Sequence, residues 1–457
     1  MLKKILFSFL IVSISFSQSL SSKINKVINN KFFDTCLVAI QIEDLTSDKT
    51  LFKKNEKMLL RPASNMKILT SAAGLIYLGE DYQFTTNLYY DGSISNDTLF
   101  GNIFVEGGCD PDFTTQDFYA FVEALQNLNI KVITGNLYGD ISFKDSLYWG
   151  KGWMWDDDPS SDAPRLSALN LNDNCVELFF SNGQIEVSPK TKFVDLLIYD
   201  SDTSLTVDRD WLNNTNKIII RGKPESSAYF KVNITNPEKY FLTVFREVLD
   251  SNNIKFLGEN DLKNIPADVF YITSVNRKYS DVIVNLNKNS DNLSAEMTLY
   301  AIAEKYYGRP ATAESGIKII NQLIDSIGFQ SSNYRIVDGS GVSHYNVVSA
   351  ELLCGLLKYF HTNYPEKFRA LYDSFPIAGV DGTLENRMKE SKAYNNVHAK
   401  TGTLTGVSCI SGYVTTKKNH TLAFSIMMQN FIGSAKKVRD FQDKLLEILA
   451  ETKYFFL

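Results

Sequence analysis

A helix with no polar face has to be covered on every side, and this chain contains one. After Arg61-Pro62, residues 63–78 read as a helix that is apolar almost all round, ending at Gly79. Any fold open to this chain must bury that segment. Pro62 suits the first helical turn, where its missing N–H costs nothing. Yet the helix carries a lysine one turn in, Lys67, with Ser64 three residues before it. Residues at i and i+3 share a face, so the Lys67 amine can reach the Ser64 hydroxyl. Ser64 also sits at the positive end of the helix dipole, where a developing oxyanion is stabilised. Burial weakens a lysine's preference for its charged form and makes it a base near neutral pH. These are the parts of an activated serine nucleophile. Alone the pair is a weak signal, because an ordinary helix start followed by a snorkelling lysine has the same spacing.

Residues 1–17 combine Met-Leu-Lys-Lys with an apolar run from Ile5 to Phe16 and small residues at Ser15 and Ser17. That pattern predicts a secretory signal peptide, too short for a spanning helix, and a mature chain beginning near Gln18 or Ser19. No Cys lies at the expected cut, which argues against a lipid anchor there. No later run is apolar and long enough to span a membrane, so an exported, soluble product is expected. The remaining chain of about 440 residues has room for two or three domains. A net charge of −5 favours neither nucleic acid nor an anionic membrane. Five scattered cysteines show neither Cys-x-x-Cys nor a disulfide framework and read as small buried hydrophobes. With four histidines and no His-x-x-x-His pair, no metal site is predicted.

Along the chain, residues 36–44 and 50–53 read as a strand and its partner. Short strands over 84–105 lead to an amphipathic helix at 115–128 and strands near 132–143. Residues 150–159, Gly-Lys-Gly-Trp-Met-Trp-Asp-Asp-Asp-Pro, have neither helix nor strand period. By themselves they read as an aromatic anchor with a solvated acidic turn. Strand patterns return at 175–180, 193–199, 216–222 and 228–234, then a helix at 237–252 after Asn236, a good N-cap. From about Val269 the chain reads as helix-rich, with helices at 292–307, 312–327, 349–361 and 365–374. Strands at 407–415 and 421–429 and an amphipathic helix at 434–452 close it. The expected organisation is an α+β domain formed by 19–82 plus 268–457. A β-rich insert at 83–267 is expected to form two smaller domains.

Two further motifs join Ser64-x-x-Lys67. Ser290-Asp291-Asn292 opens a helix, and Lys400-Thr401-Gly402 leads into the strand pair. Each alone has a plain structural reading, an N-cap box and a strand entrance. Together, in this order and these contexts, they match the motif set of penicillin-binding proteins and serine β-lactamases. The chain resembles the low-molecular-mass, class C penicillin-binding proteins of peptidase family S13, the D-alanyl-D-alanine carboxypeptidase/endopeptidases. The resemblance runs over essentially the whole mature chain. It includes Gly107-Gly108-x-Asp110-Pro111, Gly152-x-x-Trp155-Asp156-Asp157, Ser167-Ala168-Leu169-Asn170, Asp338-Gly339-Ser340-Gly341 and Pro376-Ile377-Ala378-Gly379-Val380-Asp381-Gly382-Thr383-Leu384. The 222 residues between Lys67 and Ser290 are also this family's mark and argue against a class A β-lactamase.

The resemblance implies a penicillin-binding/serine β-lactamase-like transpeptidase fold, an antiparallel sheet flanked by helices. It implies an exported, periplasmic enzyme acting on peptidoglycan stem peptides and cross-links, acylated by β-lactam antibiotics and needing no metal or organic cofactor. Ser64 would be the nucleophile and Lys67 its base. Ser290 and Lys400 would pass a proton to the leaving D-alanine, and Asn292 would hold Lys67 and the substrate amide. The N–H groups of Ser64 and Thr403 would form the oxyanion hole. Thr401 and Thr403, on the strand carrying Gly402 and with Lys400, would bind the terminal carboxylate. Trp153 and Asp156 match the family's pocket for a meso-diaminopimelate side chain. His344 stands where that pocket has an arginine, and Ser161 where it has an aromatic residue. A neutral or partly charged histidine lacks the arginine fork, so a looser pocket, or one tuned to a modified stem, is expected. A β-lactamase or esterase on the same scaffold, and a non-catalytic wall-binding scaffold, remain as alternative readings.

Overall fold

Period-two runs that are apolar on both faces have to be covered on both faces, and Val407–Thr415 and Thr421–Gln429 are such runs. In a computed structural model, which describes residues 19–223 and 227–453, they form the middle of a five-stranded antiparallel sheet. Its order is His398–Leu404, Val407–Thr415, Thr421–Gln429, Leu37–Asp44, Lys49–Lys54. Ile40, Ile42, Ile410, Phe424 and Ile426 enter one core, under the helices Leu20–Ile28 and Lys436–Glu451. Ala39, Cys409, Tyr413, Ala423 and Met427 enter the other, beneath Met66–Ala73, Asn292–Tyr307 and Ala350–Asn363. The expected antiparallel sheet flanked by helices is therefore present. The leader expected over 1–17 lies outside the described residues.

Every residue of Met66–Ala73 is buried, as its apolar circumference requires. The expected single helix over 63–78 is instead a 3-10 turn at Ala63–Asn65, an α-helix, and a π-turn at Gly74–Leu78. Pro62 is helical in conformation, but Ala63 is left-handed with φ 48°, a conformation costing an L-residue about 1–2 kcal/mol. Its surroundings impose it. The Leu60–Val348 bridge and the bond from Gln429 Nε2 to the Arg61 carbonyl (2.6 Å) fix the approach. Gly341, at φ 88°, lies so close that a β-carbon there would sit 1.9 Å from the Ala63 carbonyl oxygen. Ser64 thus follows a strained turn clamped from two sides.

Among the described residues, four further sheets lie within residues 83–278. Gln83–Tyr90, Ile103–Glu106, Leu137–Asp140, Asn260–Leu262 and Phe270–Lys278 form a mixed one. Phe270–Lys278 is a strand paired with Gln83–Tyr90, where the chain was expected to have turned helix-rich; helices begin at Tyr279. Helix Pro237–Ser251 is present, but Asn236 is left-handed and makes no side-chain cap; Pro237 opens the helix. Within residues 143–168, Phe143, Trp153, Ala163 and Leu166 pack into the core that holds Met66 and Leu69. All five cysteines are unpaired and four are buried. No described helix is long and apolar enough to cross a membrane.

Candidate active site

The start of Met66–Ala73 meets the Ser290 turn and the edge strand His398–Leu404 at a cavity of about 590 Å³. Ser64, Ser290, Asn292, Thr401, Gly402 and Thr403 line it. Lys67 is wholly buried and directs its amine to three acceptors: Ser64 Oγ at 3.1 Å, Asn292 Oδ1 at 2.5 Å and the Ser340 carbonyl at 2.8 Å. Three donors and three acceptors leave no unmet hydrogen bond. Burial lowers the Lys67 pKa to about 8, although the carboxylates of Asp291, Asp338, Glu296 and Asp162 act to raise it. A fraction of the amine is therefore free base near neutral pH.

The second lysine, Lys400, is also wholly buried, and gives bonds to Ser290 Oγ at 2.8 Å and the Thr401 carbonyl at 2.9 Å. Its pKa is held well below the usual lysine range by burial and then by repulsion from Lys67. The two amines thus disfavour simultaneous protonation. Ser290 is left-handed (φ 62°), and Asp291 rather than Ser290 caps the following helix, accepting from the Ser294 N–H at 2.5 Å. The Ser290 hydroxyl is left for Lys400.

Gly402 explains how close the edge strand comes. A β-carbon there would sit 2.8 Å from the Pro62 carbonyl and 2.9 Å from the Ser64 nitrogen. The strand therefore runs against the backbone N–H of Ser64.

Several contributors lie outside the three motifs that carry the serines and lysines. Ser340 supplies only a carbonyl. Its loop is held by Glu296, which accepts from the Gly339 and Ser340 N–H groups at 3.0 and 2.8 Å. Burial, and then Asp338, push the Glu296 pKa to about 8. Asn292 Nδ2 donates to the Asp162 carbonyl at 2.5 Å, tying the inserted region to the site. Thr383 pairs with Thr401 at 2.7 Å, and Arg439 reaches Thr403 Oγ1 at 3.4 Å from the last helix.

The residues expected at the side-chain pocket are placed differently. Trp153 is buried and donates its indole N–H to Asp338 at 3.0 Å, so it anchors the loop rather than facing the cavity. Asp156 is exposed and absent from the cavity wall; its neighbour Asp157 lines that wall. His344 is half-buried and contacts Arg61 NH1 through Nδ1 at 3.2 Å, outside the lining. The 3-10 turn at Trp155–Asp157 sets this phase, because Asp157 is its third residue and accepts from the Met154 N–H at 2.7 Å.

Behind Ser290, the carboxylates of Asp112, Asp173 and Asp291 come within 4.8 Å of one another. Lys231 ion-pairs Asp173 there. Burial pushes Asp112 to about 8 and Asp291 to about 6, so shared protons and Lys231 neutralise this cluster from within.

The sheet with its flanking helices is the fold of penicillin-binding proteins. Across residues 20–452 the chain matches the D-Ala-D-Ala carboxypeptidase 3 (S13) family, and it belongs to that family of serine hydrolases. It is 28% identical over 438 residues to the D-alanyl-D-alanine carboxypeptidase DacB of Haemophilus influenzae, covering 91% of this chain and 90% of that one. It is also 28% identical over 465 residues to the D-alanyl-D-alanine carboxypeptidase of Actinomadura sp. (strain R39), covering 94% and 84%. The crystal structure of penicillin binding protein 4 (dacB) from Haemophilus influenzae superposes with a TM-score of 0.83 at 25% identity, covering 94% of this chain and 99% of that chain.

Proposed function

We propose that the chain is an exported D-Ala-D-Ala peptidase that works through an acyl-enzyme on Ser64. It acts on peptidoglycan stem peptides as a carboxypeptidase, and on cross-links where the same bond is presented. The observation that carries this reading is the pair of buried lysines, each bonded to one serine of the cavity. Ser64 Oγ attacks the carbonyl between the two D-alanines while its proton passes to the neutral Lys67 amine. Charge on the carbonyl oxygen is met by the N–H groups of Ser64 and Thr403. The C–N bond breaks as Ser290 and Lys400 relay to the leaving nitrogen the proton that Lys67 took from Ser64. Water then hydrolyses the ester. The scheme uses side chains and backbone N–H groups throughout. Two lysines and two serines supply the base, the acid and the nucleophile.

A β-lactam presents the same carbonyl and should acylate Ser64; a related penicillin binding protein 4 from Haemophilus influenzae has been seen complexed with a novel beta-lactam. The leader at 1–17 would deliver the chain to the periplasm, where this substrate lies. A stem side chain with a free amine would meet Asp157 rather than Asp156, with His344 and Arg61 behind it. Turnover of lysine or amidated stems at least equal to that of diaminopimelate stems is the expected pattern for such a pocket. A strong preference for the unmodified diaminopimelate stem would contradict it.

The terminal carboxylate would lie along Thr401 and Thr403, within reach of Arg439, which donates to Thr403 Oγ1. Release of D-alanine from a stem pentapeptide tests the activity, and Arg439→Ala is expected to raise KM on the order of tenfold with little change in kcat. A variant with the wild-type KM would remove Arg439 from carboxylate binding. Gly402→Ala should slow penicillin acylation by about 10²-fold, because the edge strand must retreat from Ser64. Stopped-flow acylation kinetics measure this, and an unchanged rate would show that the close approach is dispensable.

A further inference from the structure

An exposed tryptophan, Trp155, and a half-buried one, Trp211, meet beside the loop that lines the cavity. Trp155 is 68% exposed and its ring lies 4.7 Å from that of Trp211, which comes from a separate turn 56 positions later. Leu212 beside Trp211 is 72% exposed and Met154 beside Trp155 is 44% exposed. Contiguous apolar surface of this kind on a soluble protein marks a binding site.

The pair is held together from below. Asp158, three residues after Trp155, is buried and takes ion pairs from Arg165 at 2.6 Å and from Arg209. Arg209, two residues before Trp211, is itself fully buried and also donates to Asn233 Oδ1 at 3.2 Å and the Thr215 carbonyl at 3.0 Å. A buried, fully engaged guanidinium thus locks two surface turns so that their rings meet, that of Trp155 exposed and that of Trp211 half-buried. The rings contribute nothing to either core. Pre-ordering the rings lowers the entropy lost when a ligand lies on them.

The platform is continuous with the cavity: Asp157, Ser160 and Asp162 of the same loop line its wall. Asp156 is exposed next to Trp155 in the chain, and Asp210 adjoins Trp211. Carboxylates beside aromatic faces repel a polyanion. They suit a neutral ring that offers C–H groups to the π-face and hydroxyl or amide N–H donors to the acid. The part of a peptidoglycan substrate with that chemistry is the glycan strand, an array of N-acetylated hexoses from which the stem peptide hangs.

We propose that Trp155 and Trp211 form a platform for the N-acetylated sugars of the glycan strand, positioning the attached stem in the cavity. This rests on the peptidase reading of Ser64, which penicillin labelling tests separately. The experiment compares the full-length W155A/W211A double variant with wild type on a disaccharide-linked pentapeptide and on the same pentapeptide without sugar. KM for the sugar-linked substrate should rise at least about fivefold, with KM for the free peptide and the penicillin acylation rate unchanged. Equal changes on both substrates, or none on the sugar-linked one, would overturn the proposal. A second measurement does not depend on the double variant folding. Peptide-free glycan fragments titrated into wild type should quench tryptophan fluorescence saturably. Trp155→Phe, which keeps an aromatic ring, should lose most of that quench while it still binds penicillin. No saturable quench in wild type would overturn the platform and leave the peptidase reading intact.

Discussion

Lys67→Met is expected to slow acylation of Ser64 by a penicillin about 10²- to 10⁴-fold, the range that a positioned general base supplies. Methionine keeps the length and apolar stem of the lysine and removes only the amine. The Asn292 Oδ1 and the Ser340 carbonyl then lose their shared donor, but a buried charge is lost with it, so the chain should still fold. The pH dependence separates a base from a mere spacer. With the folded pKa at about 8, the neutral amine grows as pH rises through that value. Wild-type acylation should climb on that limb and level off above it, and the variant should lose the limb. Stability carries the same signature. Between about pH 8 and the unfolded lysine value near 10.4 the unfolded chain holds more protons at this group. Wild type should therefore gain stability relative to Lys67→Met as pH rises across that window. A variant that keeps both the rate and the limb would assign the base elsewhere.

Lys400→Met should be comparably severe for peptide turnover, on the order of 10²- to 10⁴-fold in kcat. Its amine is the neighbour that can restore a proton to Ser290. Opening a β-lactam ring leaves its nitrogen tethered, so acylation should suffer less than peptide cleavage. Repulsion from Lys67 helps to hold the Lys400 pKa down, whereas the Lys67 pKa answers to burial and to four carboxylates, so the acylation limb should stay in place in Lys400→Met. A limb that moved by about a pH unit would show that Lys400 carries charge where Lys67 titrates.

The proposed catalytic group is legible in the sequence because its parts are side chains at fixed local spacing. Ser64 and Lys67 share a helical face, Ser290 and Asn292 flank a helix cap, and Lys400 opens a strand. What escaped has no local period. Ser340 and Asp162 act through carbonyls, which any residue carries. Thr383, Glu296 and Arg439 reach the site only through packing of segments far apart in the chain. The choice between Asp156 and Asp157 is a matter of phase in one 3-10 turn, and Trp153 is buried because Asp338 accepts its N–H. The left-handed Ala63 belongs to Gly341 and Val348 as much as to its own neighbours. In the inserted region, alternation marked strands well, but parallel pairs such as Ile103–Glu106 with Leu137–Asp140 are set by the connections between them.

The central claim is that Ser64 forms the acyl-enzyme. Intact-protein mass spectrometry after incubation with penicillin tests it most directly. One penicillin mass added to wild type, located on the peptide containing Ser64 and absent from Ser64→Ala, is the predicted result. Absence of an adduct on wild type, or an adduct that persists in Ser64→Ala, would contradict the account.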